Sequence, residues 1–119
     1  MYTLKIEMRE SFELNDFEAE VVSTVAHLTA RGIDAYGVPI AEEIEAGRRK
    51  SLNSGQLYTA LARLTEKGAL AVTNLPAKRE RGGRSKRAYE LTAQGHESLS
   101  EYARRVQWVL QRVPQLGGV

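Results

Sequence analysis

Three runs of apolar residues at helical spacing, each closed by a glycine, precede two short runs suited to strands with a basic loop between them. That order leaves few folds open. In the first run Phe17, Val21, Val25 and Leu28 recur at spacings of four, four and three and make one apolar face. Asn15 with Glu18 three residues on has the form of a capping box, and Gly32 suits the C-terminal cap. Through Ala35-Tyr36-Gly37 the chain reaches Pro39, a residue suited to a first helical turn. A second helix is therefore expected over about 39–46, with Ile40 and Ile44 inward and a stop at Gly47; Arg48, Arg49 and Lys50 then fall in the connection. Asn53 caps the third helix with Gln56 three residues on, Leu57, Leu61 and Leu64 face inward, and Gly68 ends it.

Ala69 to Leu75 and Arg87 to Leu91 suit strands, and the loop between them makes an antiparallel hairpin. Thr92 then caps a last helix over about 93–113, closed by Pro114 and the Gly117-Gly118 pair. Its apolar positions are Leu99, Tyr102, Ala103, Val106, Val109, Leu110 and Val113, nearly a heptad seam, and Trp108 falls opposite it. A lone helix with such a stripe must bury it, and the three preceding helices already share one small core. The seam is expected to pack partly on the first helix of a second subunit.

From Lys78 to Arg87 the hairpin loop reads Lys-Arg-Glu-Arg-Gly-Gly-Arg-Ser-Lys-Arg, six cations against one acid, or about +5. The whole chain carries +2, so a neutral to acidic body holds out one concentrated basic loop. Gly82-Gly83 lets the backbone reverse, because glycine accepts positive φ without a Cβ clash. A basic hairpin tip is how a small domain touches a polyanion, nucleic acid above all. The alternative is an ordinary solvated loop.

A chain of 119 residues supports one domain with an appended element. It has no apolar run of about 18 residues and no basic start followed by an apolar stretch, so neither a membrane span nor a secretory signal is expected. The absence of cysteine excludes disulfides and thiolate metal sites and agrees with a reducing cytoplasm. Residues 1–13 alternate, with Tyr2, Leu4, Ile6 and Met8 apolar and Thr3, Lys5, Glu7 and Arg9 polar, as in an extended arm. Leu4, Met8 and Phe12 also fit helical spacing. An extended arm would leave one face for a partner such as a second subunit.

Helix, helix, helix, basic hairpin is the order of a winged helix-turn-helix, a mainly α fold with a small β-hairpin. On this reading residues 1–13 are an arm, 14–92 the DNA-binding domain and 93–119 a dimerisation helix and tail. The third helix keeps its leucine stripe inside and turns Ser54, Gln56, Tyr58, Thr59 and Arg63 outward. Those side chains hydrogen-bond base edges or phosphates when a helix lies in the major groove. Gly55 lets the backbone approach phosphate, and a helix N-terminus favours an anion. The wing sets Arg81, Arg84, Lys86 and Arg87 against the DNA backbone or in the minor groove.

At this point the chain resembles the PadR-like transcriptional regulators, from about Val21 to Leu99. One part of the match is Ser54-Gly55-Gln56-Leu57-Tyr58-Thr59-Ala60-Leu61-Ala62-Arg63-Leu64, followed by Glu66-Lys67-Gly68-Ala69-Leu70. The other is Arg87-Ala88-Tyr89-Glu90-Leu91-Thr92-Ala93-Gln94-Gly95, and Tyr36-Gly37 matches a tyrosine-glycine pair before the second helix. The resemblance implies a dimeric bacterial repressor whose C-terminal helix meets the partner's helices, the first included. It also implies, for many members, release of DNA when a small molecule binds. Ser54 stands where the family often has proline, and residues 1–13 lie outside the usual pattern.

Several residues admit two readings. Tyr58 is either a DNA contact or a half-buried helix residue. Arg63 reaches phosphate or pairs with Glu66 at i+3. Tyr89 suits wing packing. Trp108 suits the dimer surface first and the wall of a pocket for a small apolar or aromatic effector second. His27 and His96 read as surface residues, with no metal and no cofactor expected. An enzyme is disfavoured: Asp16 and Asp34 are the only aspartates, no nucleophile elbow or phosphate loop occurs, and Glu42-Glu43 suits a solvated face. The expectation is a repressor that binds a palindromic duplex operator as a homodimer. The alternative is a winged-helix module for protein or RNA contact without an effector.

Overall fold

The computed structural model describes residues 12–76 and 86–115. Most of the expected arm, all of the basic loop but Lys86 and Arg87, with Arg81 and Arg84 among the rest, and the Gly117-Gly118 pair lie outside the described residues. Among the described residues, helices α1 (Asp16–Ala30), α2 (Gly37–Arg48) and α3 (Ser54–Glu66) lead into strands β1 (Leu70–Leu75) and β2 (Lys86–Leu91). Helix α4 (Ala93–Gln111) follows. This is a winged helix-turn-helix with one further helix.

The helix starts form as local chemistry dictates. Asn15 Oδ1 accepts from the Glu18 N–H at 2.8 Å, and Glu18 Oε1 accepts from the Asn15 N–H at 3.0 Å, so both halves of the capping box are made. Asn53 Oδ1 accepts from the Gln56 N–H at 3.0 Å and Thr92 Oγ1 from the Gly95 N–H at 3.0 Å. Gly32 and Gly68, just past α1 and α3, have φ of +75° and +92°, the left-handed backbone that glycine adopts without penalty.

Helix α2 departs from expectation at both ends. It starts at Gly37, so Pro39 is its third residue, where the missing N–H would have had no partner within the helix anyway. It runs through Gly47, and the left-handed closing residue is Arg49, with φ 63°. The reason is a long-range grip on the last turn. Arg48 binds Glu20 of α1 with both ends of its guanidinium, at 2.8 and 3.2 Å, and lies over the Phe17 ring at 5.5 Å. The turn beyond is tied by Glu45, whose carboxylate accepts from the Leu52 N–H at 2.7 Å.

The core is the meeting of α1, α2 and α3. Val21, Val22 and Val25 join Ile40, Ile44, Leu57, Leu61 and Leu64, all but fully removed from solvent. Each such side chain contributes about 1.5–3 kcal/mol by leaving water. The antiparallel hairpin pairs Leu70 with Leu91, Val72 with Tyr89 and Leu75 with Lys86. It is fixed to the helices by the buried Tyr89, whose N–H donates to the Ala35 carbonyl at 2.9 Å.

Helix α4 docks by its first half. Thr92 Oγ1 donates to the Gly68 carbonyl at 2.6 Å, with the Ala69 carbonyl 3.1 Å away. The backbone of Gly95 rests on Ala69, and a Cβ there would collide with the Ala69 carbonyl oxygen. Phe12 to Asp16 then run along the helix. The Phe12 N–H donates to the buried Ser98 Oγ at 3.1 Å, and Tyr102 Oη donates to Asp16 Oδ1 at 2.7 Å. Arg105 reaches Glu13 at 3.5 Å and the Leu14 carbonyl at 3.5 Å. Past Arg105 the described residues of the helix are all exposed.

Candidate nucleic-acid interface

The outward face of α3 follows from its inward one. Leu57, Ala60, Leu61 and Leu64 are buried, which leaves Ser54, Gln56, Tyr58, Thr59 and Arg63 all exposed on the other side. The Gln56 N–H is taken by the Asn53 cap, while its side chain remains in solvent. Tyr58 keeps 52% of its surface exposed, yet it is anchored. Its ring lies over the buried Gly37, and a Cβ on that glycine would run into the phenol. One edge of Tyr58 packs on α2 and the rest faces outward.

Arg63 does not meet Glu66. Its guanidinium lies 3.9 Å from Glu18, the buried carboxylate that closes the α1 capping box, with about half of the side chain still in solvent. That pairing joins residues 45 apart in sequence, beyond the reach of helix-spacing rules.

At the base of the hairpin Lys86 sets its ammonium 4.4 Å from the centre of the Tyr36 ring. Arg87 is exposed and stands opposite Asn74 in the register. The sequence carries no signal of this role for Tyr36, since nothing in the spacing of the Tyr36-Gly37 pair points to a lysine 50 residues on. Tyr36 holds the wing base with its ring, and Gly37 makes room for Tyr58.

The expected dimerisation seam divides. Leu99 and Tyr102 are half-buried against the protomer's own core. Val106, Val109, Leu110 and Val113 remain between 37% and 51% exposed. Trp108 is 56% exposed, with the Arg112 guanidinium 4.3 Å over its ring. His27 and His96 are exposed, and His27 Nε2 lies 3.5 Å from Glu43. Among the described residues no three His, Asp or Glu side chains are grouped to hold a metal. No helix among them is long and apolar enough to cross a membrane.

The sequence model of the transcriptional regulator PadR-like family matches residues 26–101, well over half of the chain. The chain belongs to the PadR-like family. Solved structures share its fold. A PadR family transcription regulator from Clostridium difficile R20291 is 23% identical, with 85% of this chain and 97% of that one covered and a TM-score of 0.64. A PadR-like transcriptional regulator from Bacillus cereus is 20% identical, covering 84% and 89%, with a TM-score of 0.63. RosR from H. salinarum is 24% identical, covering 83% and 76%, with a TM-score of 0.61. Comparison with curated protein sequences gives no match.

The residues on which the resemblance in sequence rests serve mainly to assemble the fold. Thr92 and Gly95 join α4 to the start of β1, and Tyr89 seats the hairpin on the helices. Gly37 admits Tyr58, and Leu57, Leu61 and Leu64 fix which face of α3 is left outside.

Proposed function

We propose that this PadR-like regulator binds an imperfect palindrome in duplex DNA as a homodimer and represses transcription in the cytoplasm. The observation that carries the reading is α3 itself: fully apolar inward, and lined outward by Ser54, Gln56, Tyr58, Thr59 and Arg63. In this reading α3 lies in the major groove, where Gln56 and Thr59 meet base edges near the start of the helix. Lys86 and Arg87, with Arg81 and Arg84 of the loop, meet the DNA backbone or the minor groove. The arm, the DNA-binding domain and the C-terminal helix are assigned to residues 1–13, 14–92 and 93–119. Val106, Val109, Leu110 and Val113 supply the dimer contact, continuing the seam from Leu99 and Tyr102. Trp108 belongs to the dimer surface. Release of DNA by a small apolar or aromatic molecule would move Trp108 to the wall of an effector pocket.

The test is binding to labelled duplex DNA over a salt titration. The regulator should show a steep fall of log affinity with log salt, and Arg81→Ala with Arg84→Ala should flatten it by about 0.9 per lost phosphate contact, equally for all sequences. Gln56→Ala should instead lower discrimination between operator and random DNA, by about 1–3 kcal/mol for a lost amide–adenine pair. Binding that is absent, or indifferent to salt, would favour a winged-helix module for protein contact.

A further inference from the structure

The cationic run Arg48-Arg49-Lys50 lies at the end of α2. The structure splits the run. Arg48 turns back and is consumed by Glu20 and Phe17. Arg49 and Lys50 turn outward, are exposed, and form no ion pair among the described residues. The nearby carboxylate of Glu45 is occupied by the Leu52 N–H. Arg49 is also the one non-glycine residue with positive φ among the described residues, at 63°. A Cβ in that region is disfavoured, and glycine would close the helix at less cost. An arginine kept where glycine fits better points to a use for its side chain.

Position says what that use is. Residues 49–51 lead through Leu52, which packs against the core, straight into the exposed first turn of α3. Lys86 meets Tyr36 at the other end of α2. Helix α2 has twelve residues, so it is about 18 Å long. Arg49 and Lys50 thus stand at one end of it and Lys86 at the other, with α3 packed against it. The major groove is about 12 Å wide between its bordering backbones. Cations at that separation can straddle it while α3 lies inside.

We propose that Arg49 and Lys50 form a second phosphate-binding site, which grips the DNA strand across the major groove from Lys86. The inference rests on the DNA-binding reading above. A duplex fits better than an acidic protein, because the site continues directly into the face proposed to read bases.

The experiment uses the full chain and a labelled random-sequence duplex, with affinity measured across a salt series and thermal unfolding followed in parallel. Arg49→Gly should unfold at a temperature no lower than the parent's, yet bind several-fold more weakly, with a salt slope shallower by about 0.9. Lys50→Ala, which leaves the strained residue untouched, should flatten the slope by a similar amount, and Arg49→Lys should largely restore it. Lys86→Ala serves as the reference phosphate contact. Unchanged slopes in Arg49→Gly and Lys50→Ala, beside a flattened slope in Lys86→Ala, would overturn this site and leave the DNA reading standing. A parent protein without salt-dependent binding to the duplex would overturn both.

Discussion

Gly95 and Gly37 are both glycines of closest approach, but their neighbours differ in kind. Against Gly95 stands the backbone carbonyl of Ala69, held by the hairpin and by the Thr92 hydroxyl. Against Gly37 stands the tip of the Tyr58 side chain, which can swing. Gly95→Ala should therefore cost about 1–3 kcal/mol, the range for forcing extra atoms into a packed site. Gly37→Ala should cost less in stability and show its effect on DNA, because Tyr58 is pushed from its seat. Urea unfolding and DNA titration of the two variants separate these outcomes; equal stability losses would mean that Tyr58 cannot move. Both glycines stand out in the sequence, but the atoms that require them do not. Ala69 and Gly95 are 26 residues apart, and Gly37 and Tyr58 are 21 apart, so no local pattern links them. The α1 capping box was legible because its partners lie three residues apart, whereas at α3 only the Asn53 half of the expected box is made. Arg49 as a left-handed cap was not legible, because the grip of Arg48 on Glu20 that draws α2 past Gly47 spans 28 residues.

Among the elements, α1, α3, the strands and α4 could be read from periodicity and punctuation, since a 3.6-residue or two-residue period is a local property. The outer face of α3 was legible for the same reason: its leucines define it by exclusion. How α4 divides its apolar stripe was not, because that depends on where Phe12 to Asp16 lie. This segment takes up Ser98, Tyr102 and Arg105, so two of the seven stripe positions, Leu99 and Tyr102, serve the protomer's own core. Its central tie is the Tyr102 phenol on Asp16. That hydrogen bond, helped by partial burial and by the negative charge of the carboxylate, raises the phenol above its ordinary pKa. The folded state thus favours the protonated phenol. Its contribution is fully present below the ordinary tyrosine pKa near 10 and is lost as pH rises through the higher folded value. Tyr102→Phe should cost about 0.5–1 kcal/mol at neutral pH, small because the pair is exposed. The gap between variant and parent should close in alkali above pH 10, which denaturation curves across pH can follow. A gap that is constant with pH would assign the loss to packing instead.

For the whole molecule the decisive surface is the free half of α4. Val106, Val109, Leu110 and Val113 lie together past Arg105 and are exposed, and an apolar stripe of this kind on a helix in water calls for a cover. A second copy of the chain offers the same stripe, and two-fold pairing lets each cover the other. Such pairing would set two α3 helices on one face of the duplex, with half-sites about 34 Å apart in an imperfect palindrome. Since these side chains are outside the protomer's core, charging them should break the assembly without breaking the fold. Val106→Glu with Leu110→Glu should therefore sediment as a folded monomer with near-native helix content. It should bind the operator far more weakly than the parent and keep its weak, salt-sensitive affinity for random DNA. Trp108→Ala should weaken the dimer if the ring lies in the contact and leave it intact if the ring faces a ligand. A parent chain that is monomeric at micromolar concentration and keeps full operator affinity would rule out the dimer. The exposed half of α4 would then need a different partner to cover it.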